Sequence, residues 1–309
     1  MDAWTTERSD RGTAVLFCSG GVVGTRALAS YKVAMMLRNM ISFDLCVRKS
    51  LSLGLQRLRT WLLNLIMLKS ISEAGLMIFI SNYARSIIES LSKFESSIAI
   101  HHGIGSVFLA WGKSAVRSEF LSGKECILYV SGFDGCKHHF QAVGACGELS
   151  RELCERFSLI FVGETTLPEA ERVKALIATP GLKDRGLLLG AIPCQEPLQL
   201  YHHAQLNLFA LSCENCPNIP LDVLASGRPM TCSNVMPMPE FGADAAVYFP
   251  SFDCRDIGPV LTGILTSFEL LKKLAVATVA QSDRFEWKGT SIKKWSELLV
   301  LAKLHKVGV

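Results

Sequence analysis

The chain carries little net charge, no second CxxC pair and no uninterrupted apolar run of membrane-spanning length, and each shortage removes a class of function. Its 32 Lys and Arg against 28 Asp and Glu leave +4 over 309 residues, too little for the basic face that a nucleic-acid partner requires. Cys213 and Cys216 form a lone CxxC with only Cys232 nearby, which does not complete a four-ligand zinc site. The remaining cysteines, Cys18, Cys46, Cys126, Cys136, Cys146, Cys154, Cys194 and Cys254, mostly sit among apolar neighbours, as free thiols do in a reducing cytoplasm. Three adjacent histidine pairs lie in different segments, and neighbours on a helix or strand do not face one point, so no metal is expected. The most apolar region, Leu51 to Ile80, is broken by Arg57, Arg59, Lys69 and Glu73, short of an apolar span of about 20 residues. Residues 1–12 are polar and read as a leader without the apolar core of a signal peptide.

What is present is alternation. Ile127 to Ser131, Leu159 to Gly163, Leu187 to Ala191, Leu206 to Leu211 and Met230 to Ser233 are short apolar runs separated by helix-length stretches. That pattern predicts an α/β fold with a parallel sheet covered on both faces. Phe140, Val143, Leu149, Leu153 and Phe157 give one approximate helical stripe between the first two runs, and Glu196 to Ala204 suits a further short helix. Ligands of open parallel sheets bind beyond the carboxyl ends of the strands. The segments Gly132 to Lys137, Gly163 with Glu164, and Ser212 to Asn218 are therefore expected to rim one crevice.

The stretch Leu211 to Phe249 carries the most chemistry. After the Leu206 strand and a polar loop, Pro217 and Asn218 stand where a helix begins, Leu221, Leu224 and Ala225 share a face, and Gly227 with Pro229 ends it. The N-terminus of such a helix suits an anion, most naturally phosphate. Glu214 precedes this helix and Asp222 lies within it, two carboxylates able to accept hydrogen bonds from the paired hydroxyls of a sugar or ribose.

Glu214, seven intervening residues and Asp222, followed by SNVMPMPEFGADAAVYF with Pro239, Glu240, Gly242 and Asp244, resemble the donor-site signature of retaining glycosyltransferases of family 4, which have the GT-B fold. The family's second acid is a glutamate, so Asp222 is one methylene shorter. The resemblance implies that Glu214 lies near the transferred sugar and Asp222 near the ribose, with Asn215, Cys216, Pro217 and Asn218 forming the loop and helix start around the donor. The family also places an arginine and, five residues on, a lysine after the first strand of this domain, to neutralise the donor diphosphate. Here the lysine is Lys137 and the arginine position is Gly132, so a point charge is kept and a bidentate partner is not. Gly163 and Gly103 are the remaining candidate donor positions, Gly103 within an HHGIG linker where a missing side chain permits close backbone approach. No metal or other cofactor is implied; the nucleoside-diphosphate sugar is a co-substrate.

The implied GT-B chain has two Rossmann-like domains, a C-terminal one over 101–283 and an incomplete N-terminal one over 13–100, with a last segment, 284–309, whose helix in the family crosses back to the N-terminal domain. Ala14 to Cys18, Val33 to Leu37 and Leu76 to Ser81 read as strands of the N-terminal part. Arg38 and Asn39 follow the second of them, either facing an acceptor or capping the strand. A truncated sheet exposes an edge, open to association with another polypeptide. Leu55, Leu58, Leu62, Leu65 and Ile66 form a helical stripe beside Arg57 and Arg59; packing into the core is the expectation, and contact with an anionic membrane surface the alternative. The function so implied is transfer of a sugar, with retention, to a glycan or lipid-linked acceptor, in the cytoplasm or at the inner membrane face. A nucleotide-sugar-binding remnant without activity and a sugar-nucleotide epimerase of the same fold are the alternatives.

Overall fold

Runs such as VAMML and LMIF, apolar at every position, suit strands covered on both faces. The computed structural model makes them the middle strands of a parallel sheet. It describes residues 14–24, 31–40, 42–43, 54–105, 124–183, 186–192, 196–250 and 253–303; the expected leader, Cys46 and Cys194 lie outside these. The chain divides into two compact units, Met1–His102 with Lys288–Val309, and Gly103–Trp287.

In the first unit, β1 (Val15–Cys18), β2 (Lys32–Leu37), β3 (Leu76–Phe79) and β4 (Ser97–Ala99) pair in that order, all parallel. Helix α1 (Leu55–Ser72) precedes β3, and α2 (Asn82–Leu91) follows it, capped by the Ser81 hydroxyl, which accepts from the Ala84 N–H at 3.1 Å. Val33, Met35, Leu37, Met77, Phe79, Ile71 and Ile88 form the core. The expected inward stripe of α1 is not inward. Leu55, Leu58, Leu62, Leu65 and Ile66 are exposed, and Asn64, Met67, Ser70 and Ile71 are buried instead. Two polar side chains fix this rotation: the Asn64 amide donates to the Ser42 carbonyl (2.8 Å), and the Ser70 hydroxyl accepts from the Val23 N–H (3.2 Å). Hydrogen bonds to loop backbone have overridden apolar periodicity here.

The second unit alternates strand and helix, with two helices between its first two strands and two after its last: β5 (Glu125–Val130), α3 (His139–Gly147), α4 (Arg151–Arg156), β6 (Phe157–Val162), α5 (Pro168–Ile177), β7 (Gly186–Leu188), α6 (Glu196–His203), β8 (Ala204–Phe209), α7 (Asn218–Ser226), β9 (Met230–Ser233), α8 (Met238–Gly242), β10 (Ala246–Phe249), α9 (Cys254–Leu265) and α10 (Phe268–Ser282). The six strands lie in the order β10-β9-β8-β5-β6-β7, all parallel. Ile127, Leu159, Phe161, Leu206 and Leu208 from the sheet pack with Val143, Leu261 and Ile264 from the helices.

Two sequence readings change in this unit. The stripe from Phe140 to Phe157 is two helices, because α3 stops at Gly147 and Ser150 caps a new one, its hydroxyl accepting from the Leu153 N–H at 3.3 Å; Phe157 is already the first residue of β6. The sheet also has a sixth strand, β10, an edge strand of four residues. At the end of the chain, α11 (Trp287–Lys303) carries the segment that belongs to the first unit. There Thr290 donates to the His101 carbonyl (3.2 Å), and Trp295, Leu298 and Leu299 line a groove with Val15 and Phe17 of β1.

Candidate functional site

The order of the second sheet fixes where a ligand can bind. From β5 the chain winds outward through β6 to β7, then returns to place β8 on the other side of β5 and winds outward again through β9 to β10. The β5 and β8 loops therefore diverge from adjacent strands, and the gap between them at the carboxyl ends is the topological switch point of the sheet.

Hydrogen bonds hold the rim of this gap. The Ser131 N–H donates to Val162 O (2.8 Å), Phe133 N–H to Glu164 O (3.3 Å), and Gly163 N–H to Gly190 O (2.9 Å), so the loops after β5, β6 and β7 are tied in series. A Cβ on Gly163 would lie 1.9 Å from the Ser131 carbonyl oxygen, a distance only glycine avoids. The close approach at Gly163 is thus between two loops of the protein. The same holds at Gly103, where a Cβ would lie 2.2 Å from the Cα of Trp287. The room that Gly103 provides is taken by the Trp287 backbone.

Across the gap, Tyr129 joins β5 to β8. Its ring is buried in the sheet and packs on Phe161 and Phe209, while its hydroxyl donates to the Lys137 carbonyl and accepts from the Ala210 N–H at 3.0 Å. Ser212 N–H donates to the Cys136 carbonyl (2.9 Å), and the Ser233 hydroxyl, at the end of β9, accepts from Leu211 N–H (3.2 Å) and donates to Leu211 O (2.7 Å). Neither Tyr129 nor Ser233 is singled out by the sequence reading. The available signal was a phenol inside the otherwise apolar run ILYV, since a buried tyrosine hydroxyl needs a partner. His139 lies beneath the loop, fully buried and stacked on Phe133 with centroids 4.1 Å apart; burial lowers its pKa to about 3 and keeps it neutral.

These ties bring Lys137 and Glu214, 77 residues apart, into contact: Lys137 Nζ to Glu214 Oε2 is 2.8 Å. Burial lowers the lysine pKa, but the charge and hydrogen bond of Glu214 outweigh it, and the net shift is upward. Lys137 is therefore a fixed cation at neutral pH. The other Glu214 oxygen accepts from the Asn215 N–H at 3.1 Å, which aims the carboxylate. Asn215, Cys216 and Pro217 are buried and lead into α7, whose N-cap, Pro217, supplies no side-chain hydrogen bond. Pro220 falls in the first turn, where its missing N–H is harmless. Lys137 thus meets Glu214 in the loop that leads into the positive end of α7.

Asp222 stands one and a half turns into α7, partly buried. Burial alone raises its pKa to about 7. Among the described residues its carboxylate accepts no hydrogen bond, and its charge is felt by the buried Tyr201 of α6. A desolvated carboxylate without donors is an acceptor in search of hydroxyls. Gly132 lies beside the same gap, and a Cβ there would meet no atom within 4 Å. Arg38 and Asn39 are exposed at the carboxyl end of β2 in the first unit.

A family model described as glycosyl transferases group 1 matches residues 113–271, just over half of the chain. Among solved structures, sucrose-phosphate synthase from Thermosynechococcus elongatus superposes with a TM-score of 0.72 at 17% identity, covering 86% of this chain and 67% of that one. Anabaena Alr3699/HepE in complex with UDP-glucose gives 0.74 at 13% identity, covering 92% and 78%. A UDP-forming α,α-trehalose-phosphate synthase from Burkholderia vietnamiensis gives 0.70 at 12% identity, covering 90% and 69%. No curated protein sequence matches.

Proposed function

Since the chain belongs to the group 1 glycosyl transferases and has the GT-B fold, we propose that the gap between β5 and β8 binds a nucleoside-diphosphate sugar and that the sugar is transferred with retention to a glycan or lipid-linked acceptor. The observation that carries this reading is the meeting of Lys137 and Glu214 at the switch point, in front of α7.

In this reading the diphosphate lies against Lys137 Nζ and the positive end of α7. Both are in place before reaction, so negative charge developing on the departing diphosphate is stabilised without reorganisation. Glu214 accepts hydrogen bonds from the sugar hydroxyls and orients the ring, and its pairing with Lys137 couples sugar position to phosphate position. Asp222 accepts from the ribose diol. The acceptor hydroxyl attacks the anomeric carbon from the face that the diphosphate leaves, as the bond from that carbon to the phosphate oxygen breaks and the departing diphosphate takes the hydroxyl proton, which retains the anomeric configuration; neither carboxylate acts as a covalent nucleophile. Structural neighbours of this chain were solved with UDP and with UDP-glucose, which supports a nucleotide sugar as the donor class.

The test is to titrate the protein with a panel of nucleotide sugars by calorimetry and to follow nucleotide release and the product anomer by NMR. Glu214→Ala is expected to abolish transfer while leaving nucleotide binding measurable, and Lys137→Ala to weaken both. Failure to bind any nucleotide sugar would remove the proposal. Gly132, at the position where the family has an arginine, favours one second reading: donor binding without transfer, marked by binding of the panel with no nucleotide release.

A further inference from the structure

Helix α1 carries its apolar stripe on the side away from the core. At about 100° per residue, Leu55, Leu58, Leu62, Leu65 and Ile66 lie opposite the buried Asn64, Met67, Ser70 and Ile71, and Leu58, Leu62, Leu65 and Ile66 are each between 44 and 51% exposed. Trp61 borders the stripe at 47% exposure. Three cations surround it, with Arg57 and Arg59 on its two flanks and Lys69 in line near its C-terminal end, all exposed. The helix contains no Asp or Glu; the first acid after it, Glu73, is its C-cap.

We propose that this face seats the protein on an anionic lipid surface, with α1 lying in the plane of the interface. The stripe is not a misplaced core face, because turning it inward would break the bonds that Asn64 and Ser70 make with the backbone of Ser42 and Val23. No helix among the described residues is long and apolar enough to cross a membrane, so the helix lies on the surface. Leucine and isoleucine enter the acyl boundary, Trp61 sits at headgroup depth, where indole rings partition, and the three cations meet the lipid phosphates. A second copy of this chain fits less well. A two-fold interface would bring the same patch, and the same three cations, against itself.

Each Lys or Arg near an anionic surface contributes about fivefold in partitioning, so three give roughly 100-fold between anionic and neutral vesicles. The test is flotation of the full chain with vesicles of phosphatidylcholine alone and with about one third phosphatidylglycerol. Binding is expected only to the anionic vesicles, with release on raising salt to about 0.5 M as the Debye length shortens. Arg57→Gln/Arg59→Gln should lower binding by roughly 25-fold, and Leu62→Asp/Leu65→Asp should abolish it. Binding of UDP-glucose should be unchanged in all of these, since the second unit is untouched; that readout separates failure of this proposal from failure of the donor site. Equal binding to both vesicle types, binding insensitive to salt, or variants that float like the parent would overturn it. So would stripe variants that split a dimer, measured by light scattering, without changing flotation.

Discussion

Asp222 is expected to make both stability and donor affinity depend on pH near neutrality. Its carboxyl is pushed up to about 7 by burial, against about 3.9 in an unfolded chain. The folded protein therefore holds this proton more tightly than the unfolded one between about pH 4 and 7, and stability falls as pH rises through that window. Three pH units correspond to about 4 kcal/mol, and because the side chain keeps some contact with water, a realistic loss is on the order of 2–4 kcal/mol. Asp222→Asn removes the titration, so the variant should match the parent near pH 4 and exceed it by that amount at pH 8. Urea unfolding of both proteins across this range measures the difference directly. Donor binding should run the opposite way. If the ribose hydroxyls donate to the ionised carboxylate, the binding-competent fraction falls below pH 7, and UDP-glucose affinity should drop roughly tenfold from pH 8 to pH 6. UDP-glucose suits the assay because its diphosphate has no terminal phosphate that titrates near pH 6. Asp222→Asn should bind more weakly at pH 8 and show a flat profile. Parallel stability curves for the two proteins would refute the burial argument. An affinity that rises on acidification would refute the ribose contact while leaving the burial argument standing.

Three further substitutions test the frame around the site. Gly132→Arg should fold normally, since a Cβ there meets nothing within 4 Å, and should tighten nucleotide-sugar binding by a charge-assisted contact of about 1.5–3 kcal/mol, read by calorimetry. Gly163→Ala should destabilise by at least about 1–3 kcal/mol in urea unfolding, because the new methyl group collides with the Ser131 carbonyl. Tyr129→Phe strands the Ala210 N–H and removes a donor to the Lys137 carbonyl. It should cost about 1–3 kcal/mol of stability and also weaken donor binding, as Lys137 loses its anchor.

Much of the fold was legible because parallel strands buried on both faces are apolar without interruption. Met230–Ser233 is a strand over the predicted residues, and the other four predicted runs of the second sheet end within a few residues of β5, β6, β7 and β8. The four-residue β10 was hidden inside a motif read for its chemistry, and the break between α3 and α4 was hidden because apolar spacing across Ser150 still approximates a helix. Of the site, local sequence gave the loop, the start of α7 and the spacing of Glu214 and Asp222. It also marked Lys137 and Gly132 after β5.

Short-range periodicity and local turn chemistry thus encode the class of fold and the residue types available for phosphate and sugar recognition. Tertiary structure alone decided which of them meet. The return of the chain to place β8 beside β5 brings Lys137 to Glu214 over 77 residues, and the Tyr129 hydroxyl locks that meeting. It also decided that α1 faces outward, because a periodic pattern reports an apolar side but not what that side packs against. Hydrogen bonds to distant backbone, at Asn64 and Ser70, settled the rotation.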